Sequence, residues 1–156
     1  MKAWGAVFLT TMLVLGIAAC ADHETREQRF AHMEKKAAGG DVSAWYSLGL
    51  MYEQGFGVAP DKCQAALCYR KAAEKGQVQA QYRLGSLYYH GQGVPKDLQQ
   101  AAAWVKKAAE QGYAQAQADL GNMYLSGEGV PRDVSQAAYW HKKSLQLKKP
   151  KDFTRD

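Results

Sequence analysis

A 36-residue unit is written three times in succession, at residues 41–76, 77–112 and 113–148, and no other feature of the 156-residue chain constrains its fold as tightly. Laid over one another without gaps, the copies share twelve identical columns. In the first copy these are Ala44, Leu48, Gly49, Tyr52, Gly55, Gly57, Val58, Asp61, Gln64, Ala65, Ala66 and Lys71. A unit of this length cannot bury its apolar face alone. Stacked on its neighbours it can, so a period in this range specifies a solenoid, and solenoids present extended binding surfaces.

In the first half of each unit the apolar residues fall at i, i+4, i+7 and i+8. They are Ala44, Leu48, Met51 and Tyr52, then Ala80, Leu84, Leu87 and Tyr88, then Ala116, Leu120, Met123 and Tyr124. That is the stripe of an amphipathic helix, helix A. Gly55, Gly91 and Gly127 stand where the helix ends in a residue able to take φ > 0, and a second glycine two positions on keeps the connection tight. Asp61, Asp97 and Asp133 each precede a glutamine by three residues. This spacing predicts a capping box opening helix B, with the aspartate accepting a backbone N–H while Gln64, Gln100 or Gln136 reaches back. The inner face of helix B then carries Ala65, Ala66 and Cys68, Ala101, Ala102 and Trp104, and Ala137, Ala138 and Trp140. The small residues let backbones approach and the tryptophans fill the space between layers. Residues 29–40 read as half a unit, because Lys35, Ala37 and Gly40 lie 36 positions before Lys71, Ala73 and Gly76. A capping helix over Phe30–Ala38 is expected, with Phe30 and Met33 covering the first hairpin. The fold class is therefore all-α: an α/α solenoid of three helical hairpins with an N-terminal capping helix.

The run Trp45-x-x-Leu48-Gly49-x-x-Tyr52 fits the tetratricopeptide pattern, but the period is 36 rather than 34 and Gly-x-Gly-Val precedes each helix B. In these features, and along Leu84–Asp97 and Ala101–Gly112, the chain resembles the Sel1-like branch of that superfamily. The resemblance runs from residue 41 to residue 148. It implies the helical-hairpin fold and leaves the biochemical role open, because one fold hosts many functions.

Upstream, Lys2 precedes an apolar run from Ala3 to Ala19 that ends in small residues before Cys20, the pattern of a secretory signal rather than a structural element. Three outcomes are open. Cleavage after Ala21 would leave a soluble protein; an uncleaved anchor would be short against the roughly 20 residues a span requires. In the third, Leu15 to Cys20 resembles a bacterial lipobox. This implies a lipoprotein signal peptide at residues 1–19, an acylated Cys20 and a lipidated tether at residues 20–28. Two or more acyl chains hold a protein stably at a membrane. Ala21 in place of an aspartate is similar to outer-membrane sorting in enteric bacteria, which implies the bacterial cell envelope, on the outer membrane facing the periplasm.

Without residues 1–19 the chain holds 19 Lys and Arg against 15 Asp and Glu. Six of those basic residues and two of the acids lie between residues 142 and 156, so the rest of the solenoid is balanced. This basic end at 142–156 could meet anionic headgroups or an acidic partner; alternatively its lysines serve only the last helix end, and the basic polar tail at 149–156 only solubility. No basic stripe with interleaved aromatics is present, so nucleic acid is not an expected partner. Cys63 and Cys68, five residues apart on one helix, would have Cα atoms roughly 8–9 Å apart, beyond disulfide reach. Cys68 occupies the tryptophan column and reads as core, Cys63 as exposed. His23, His32, His90 and His141 are dispersed, and no nucleophile sits beside a base in a recognisable motif. Neither an enzyme nor a metal or other cofactor is expected.

In tetratricopeptide-like solenoids the concave surface is lined by helix A, at positions between the core columns. By that resemblance the protein-binding groove comprises Tyr46, Leu50, Glu53 and Gln54, then Tyr82, Ser86, Tyr89 and His90, then Ala118, Asn122, Leu125 and Ser126. These columns vary where the scaffold columns are identical, and Tyr46, Tyr82, Tyr89, Leu50 and Leu125 supply the groups enriched at interface hot spots. Tyr82 equally has the size to pack between hairpins. The expected function is a monomeric, noncatalytic protein-binding module. Sel1-like lipoproteins include immunity proteins against lipase-type effectors of type VI secretion, and the resemblance implies such a role. The alternative is a periplasmic scaffold or adaptor for envelope or peptidoglycan assembly or for host interaction.

Overall fold

The computed structural model describes residues 25–146. The expected signal peptide at residues 1–19, Cys20 and the basic tail at 149–156 lie outside the described residues. Seven helices of 13 residues each follow in order: α1 (Arg26–Ala38), α2 (Val42–Gln54), α3 (Lys62–Glu74), α4 (Val78–His90), α5 (Leu98–Glu110), α6 (Ala114–Ser126) and α7 (Val134–Gln146). Helices α2, α4 and α6 are the A helices; α1, α3, α5 and α7 are B-type. There is no strand among the described residues. Packing runs in chain order, each helix against the next. The result is an all-α solenoid.

Gly55, Gly91 and Gly127 end the A helices in the left-handed conformation, as the spacing predicts. The aspartates cap helix B, Asp61 accepting from the N–H groups of Cys63 and Gln64, and Asp133 from those of Ser135 and Gln136. The expected return bond from the glutamine does not form. The N–H groups of Asp61, Asp97 and Asp133 instead donate to the carbonyls of Tyr52, Tyr88 and Tyr124 at 2.9, 3.0 and 2.9 Å, tying the start of helix B to the end of helix A. A complete capping box occurs elsewhere, between Thr25 and Gln28, and it starts α1 at Arg26. The helix therefore begins before Phe30, and residues 26–28, read from sequence as tether, are its first turn.

The core is a chain of three clusters, each built on an A helix and the B helices beside it. Leu84 and Leu120 are fully buried, and burial of one such side chain stabilises by about 1.5–3 kcal/mol. The second glycine of each Gly-x-Gly-Val run binds one repeat to the one before. A Cβ at Gly93 would run into the carbonyl of Lys62 at the start of α3, and one at Gly129 into that of Leu98 at the start of α5. Among the described residues the stack is uncovered at its far end. Ala102 and Ala109 are buried, whereas Ala138 and Leu145, one period on, are exposed.

Candidate functional site

Within each hairpin, a helix A glycine faces a side chain of helix B. A Cβ at Gly49 would strike the Tyr69 ring, one at Gly85 would meet Val105 Cγ2 at 2.8 Å, and one at Gly121 would meet the His141 ring at 2.7 Å. The facing residue thus changes from tyrosine to valine to histidine along the array, and this decides where the groove is open.

At the first position the groove is filled by the chain itself. Tyr69 is fully buried and donates its O–H to Glu53 Oε2 at 2.6 Å, while Lys62 Nζ lies 3.1 Å from Glu53 Oε1. Arg83 lies beside Tyr46 and in the field of Glu53, and the Tyr46 ring packs 5.8 Å from that of Tyr69. Burial works against ionising Glu53, but the Tyr69 and Lys62 hydrogen bonds outweigh it and hold the carboxyl below its usual range. Burial and the Glu53 carboxylate together push the Tyr69 phenol upward.

One repeat on, Val105 is too short to reach across, and a cleft of about 290 Å³ opens between α4 and α6. Gly85, Val105 and Met123 form its floor; Tyr82, Ser86, Tyr89 and His90 of α4, Asp119 and Asn122 of α6, and Glu128 of the following loop complete the lining. Two phenols bridge it. Tyr82 donates to Asp119 Oδ2 at 2.8 Å, and Tyr89 to Glu128 Oε2 at 2.9 Å. Burial and the bond to Asp119 push Tyr82 up to about 12, and the bond to Glu128 raises Tyr89. The Tyr82 ring also packs 5.1 Å from Tyr113, so it serves both packing and lining.

Of the residues expected in the groove, Tyr82, Ser86, Tyr89, His90 and Asn122 come together in this cleft. Tyr46 and Glu53 belong instead to the filled position, held by Tyr69, Arg83 and Lys62. Leu50 and Gln54 line a separate, more open groove of about 380 Å³ against α1, with His32, Met33 and Phe56. Leu125 is exposed but lies outside both grooves; its carbonyl accepts from Arg132 Nε at 3.0 Å. Asp119, Glu128 and the floor residue Val105 were not expected. The signal for them lies in column comparison: the Tyr69 column loses its ring at Val105, and the Arg83 column changes sign at Asp119. Cys63 is exposed and Cys68 buried, both as free thiols, and burial pushes Cys68 up to about 11. Among the described residues no helix is long and apolar enough to cross a membrane, and no group of three or more His, Cys, Asp or Glu side chains could hold a metal ion.

Comparison with known proteins bears on the repeats directly. The Sel1 repeat model matches residues 42–77, 78–113 and 114–148. Among solved structures, a protective antigen present in uropathogenic Escherichia coli strains, displaying an SLR fold, is 39% identical with a TM-score of 0.76, over 78% of this chain and 26% of that one. A Sel1 repeat protein from Oxalobacter formigenes is 35% identical with a TM-score of 0.74, over 80% of this chain and 51% of that one. Helicobacter pylori cysteine rich protein B is 25% identical with a TM-score of 0.63, over 80% of this chain and 92% of that one. The chain thus spans about a quarter of the first and about half of the second. No curated protein matches it. With all three units matched and the helical hairpins in place, the chain belongs to the Sel1 repeat family, whose repeats are in general protein-interaction modules.

Proposed function

We propose that this chain is a noncatalytic protein-binding module of the bacterial envelope and that its partner docks at the cleft between α4 and α6. One observation carries the reading. The cleft is lined by columns that differ from repeat to repeat, Tyr46, Tyr82 and Ala118 in one, Leu50, Ser86 and Asn122 in another, Glu53, Tyr89 and Leu125 in a third, on a scaffold of identical columns. The identical columns have packing reasons. The open cleft adds two partly buried tyrosines and a polar rim to that scaffold, which is the composition of an interface centre.

The envelope address rests on the resemblance of Leu15–Cys20 to a lipobox. Labelling with a fatty-acid analogue tests it, and identical labelling of wild type and Cys20→Ala would refute it. In its sharper form the reading makes the partner an envelope-active effector that the chain neutralises, since export and anchoring would hold the module where such a toxin arrives. Affinity purification from the native envelope, comparing wild type with Tyr89→Ala, tests the docking site. Tyr89 is partly buried and packs against the cluster around Met123, so its truncation is expected to keep the helicity with a modest loss of stability while costing about 2 kcal/mol of binding if it is a central anchor. Equal capture by Tyr89→Ala rejects the cleft. A captured partner whose activity is unchanged by binding replaces neutralisation with a scaffold or adaptor role.

A further inference from the structure

The two inter-repeat positions along the groove have opposite charge bookkeeping, and the contrast specifies what the open one lacks. Between the first and second repeats, the carboxylate of Glu53 and the phenols of Tyr46 and Tyr69 are met by two cations of the chain itself, Lys62 and Arg83. One period on, the column of Lys62 holds Leu98 and the column of Arg83 holds Asp119. The open cleft therefore has two carboxylates, Asp119 and Glu128, two phenols, Tyr82 and Tyr89, and no lysine or arginine in its lining. Around it, Lys96 Nζ lies 5.9 Å from the centre of the Tyr89 ring, and Arg83 lies within the field of Tyr82.

From this we infer that the cleft receives a basic side chain, arginine or lysine, of the protein partner, so that the partner supplies the charge that Lys62 and Arg83 supply one repeat earlier. The inference rests on the protein-binding reading and deepens it. The phenols hold the carboxylates in place through Tyr82 to Asp119 Oδ2 and Tyr89 to Glu128 Oε2, and Glu128 Oε1 accepts no hydrogen bond among the described residues. A fixed carboxylate is a better acceptor for a charged donor than a mobile one, because less order is lost on binding. The tyrosine rings offer a cation their faces. The apolar floor of Val105 and Met123 suits an aliphatic stem that carries its charge to the polar rim. The volume, about 290 Å³, is at the lower end for a small-molecule site and suits one inserted side chain.

A random linear peptide library selected on the purified full chain, followed by backbone-amide shift mapping of the best peptides, tests the inference. The expected result is selection of peptides with a fixed basic residue that shift Gly85, Ser86 and Asn122, and that weaken as salt rises. Replacing that residue by norleucine, or Glu128 by Gln or Asp119 by Asn in the protein, should cost about tenfold or more in affinity with unchanged melting. Amide side chains can still accept from the tyrosines, so these variants keep the fold while removing the charge. Peptides that bind at the cleft with equal affinity for the basic and norleucine forms, or for wild type and Glu128→Gln, overturn the basic-anchor inference and leave cleft docking standing. Selected peptides that leave the cleft amides unmoved overturn both.

Discussion

Replacing Gly93 by alanine should cost far more stability than the same change at Gly76, although both glycines have positive φ, +70° and +88°. At Gly76 an added Cβ meets nothing within 4 Å. That substitution therefore reads the backbone penalty alone, about 1–2 kcal/mol for a side chain in the left-handed region. At Gly93 the Cβ would run into the Lys62 carbonyl, with Cys63 N at 2.8 Å. Both atoms belong to the first turn of α3, which Asp61 caps through Cys63 N and Gln64 N, so the neighbour cannot move aside without loosening that cap. Overpacking of this kind adds about 1–3 kcal/mol, for a total of about 2–5 kcal/mol. Urea unfolding followed by far-ultraviolet circular dichroism measures both variants. If Gly93→Ala loses no more than Gly76→Ala, the second glycine of the Gly-x-Gly-Val run is a turn device only, and the account of how one repeat seats on the last is refuted.

Leu84→Ala should lose about 2–5 kcal/mol, because Leu84 is fully buried in the central cluster; a variant as stable as wild type would remove it from the core. Burial, then Asp119, raises the folded-state pKa of Tyr82 to about 12. The stability this phenol contributes is thus full below about pH 10 and lost between about pH 10 and 12, and Tyr82→Phe should flatten that part of the alkaline decline in unfolding free energy. In a Cys20→Ser background, a thiol reagent should modify Cys63 alone in the native protein and both Cys63 and Cys68 after denaturation, since Cys63 is exposed and Cys68 is buried with its thiol pushed up to about 11.

The fold was legible because its instructions are local and repeated. Leu48, Gly49 and Gly55 recur one period apart, each copy reports the same packing need, and the helices follow. Two features escaped for a common reason, namely that a backbone group found a different partner. The aspartate N–H groups that a capping box would use are taken by the carbonyls of Tyr52, Tyr88 and Tyr124, and α1 starts early because Thr25 and Gln28 form the box that the later repeats do not. The cleft was legible only in part. Tyr82, Ser86, Tyr89, His90 and Asn122 follow from the resemblance to tetratricopeptide-like solenoids, whose groove is lined by helix A, but whether a groove position is open depends on the helix B residue opposite the glycine. Tyr69 closes one such position and Val105 opens the next, while Asp119 and Glu128 reach the cleft from the following repeat. A difference between copies carried that information, and identical columns could not.

The central claim is that the opening left by Val105 is where a protein partner sits. A photoreactive residue placed at Ser86, on the cleft, and at exposed Glu110, outside it, compares the two surfaces directly in intact cells. The predicted result is a discrete protein adduct from Ser86, absent from Glu110, and abolished by Val105→Tyr, which restores the plug that Tyr69 forms in the first repeat. An adduct from Ser86 that survives Val105→Tyr in a folded protein, or one no stronger than that from Glu110, would contradict the claim.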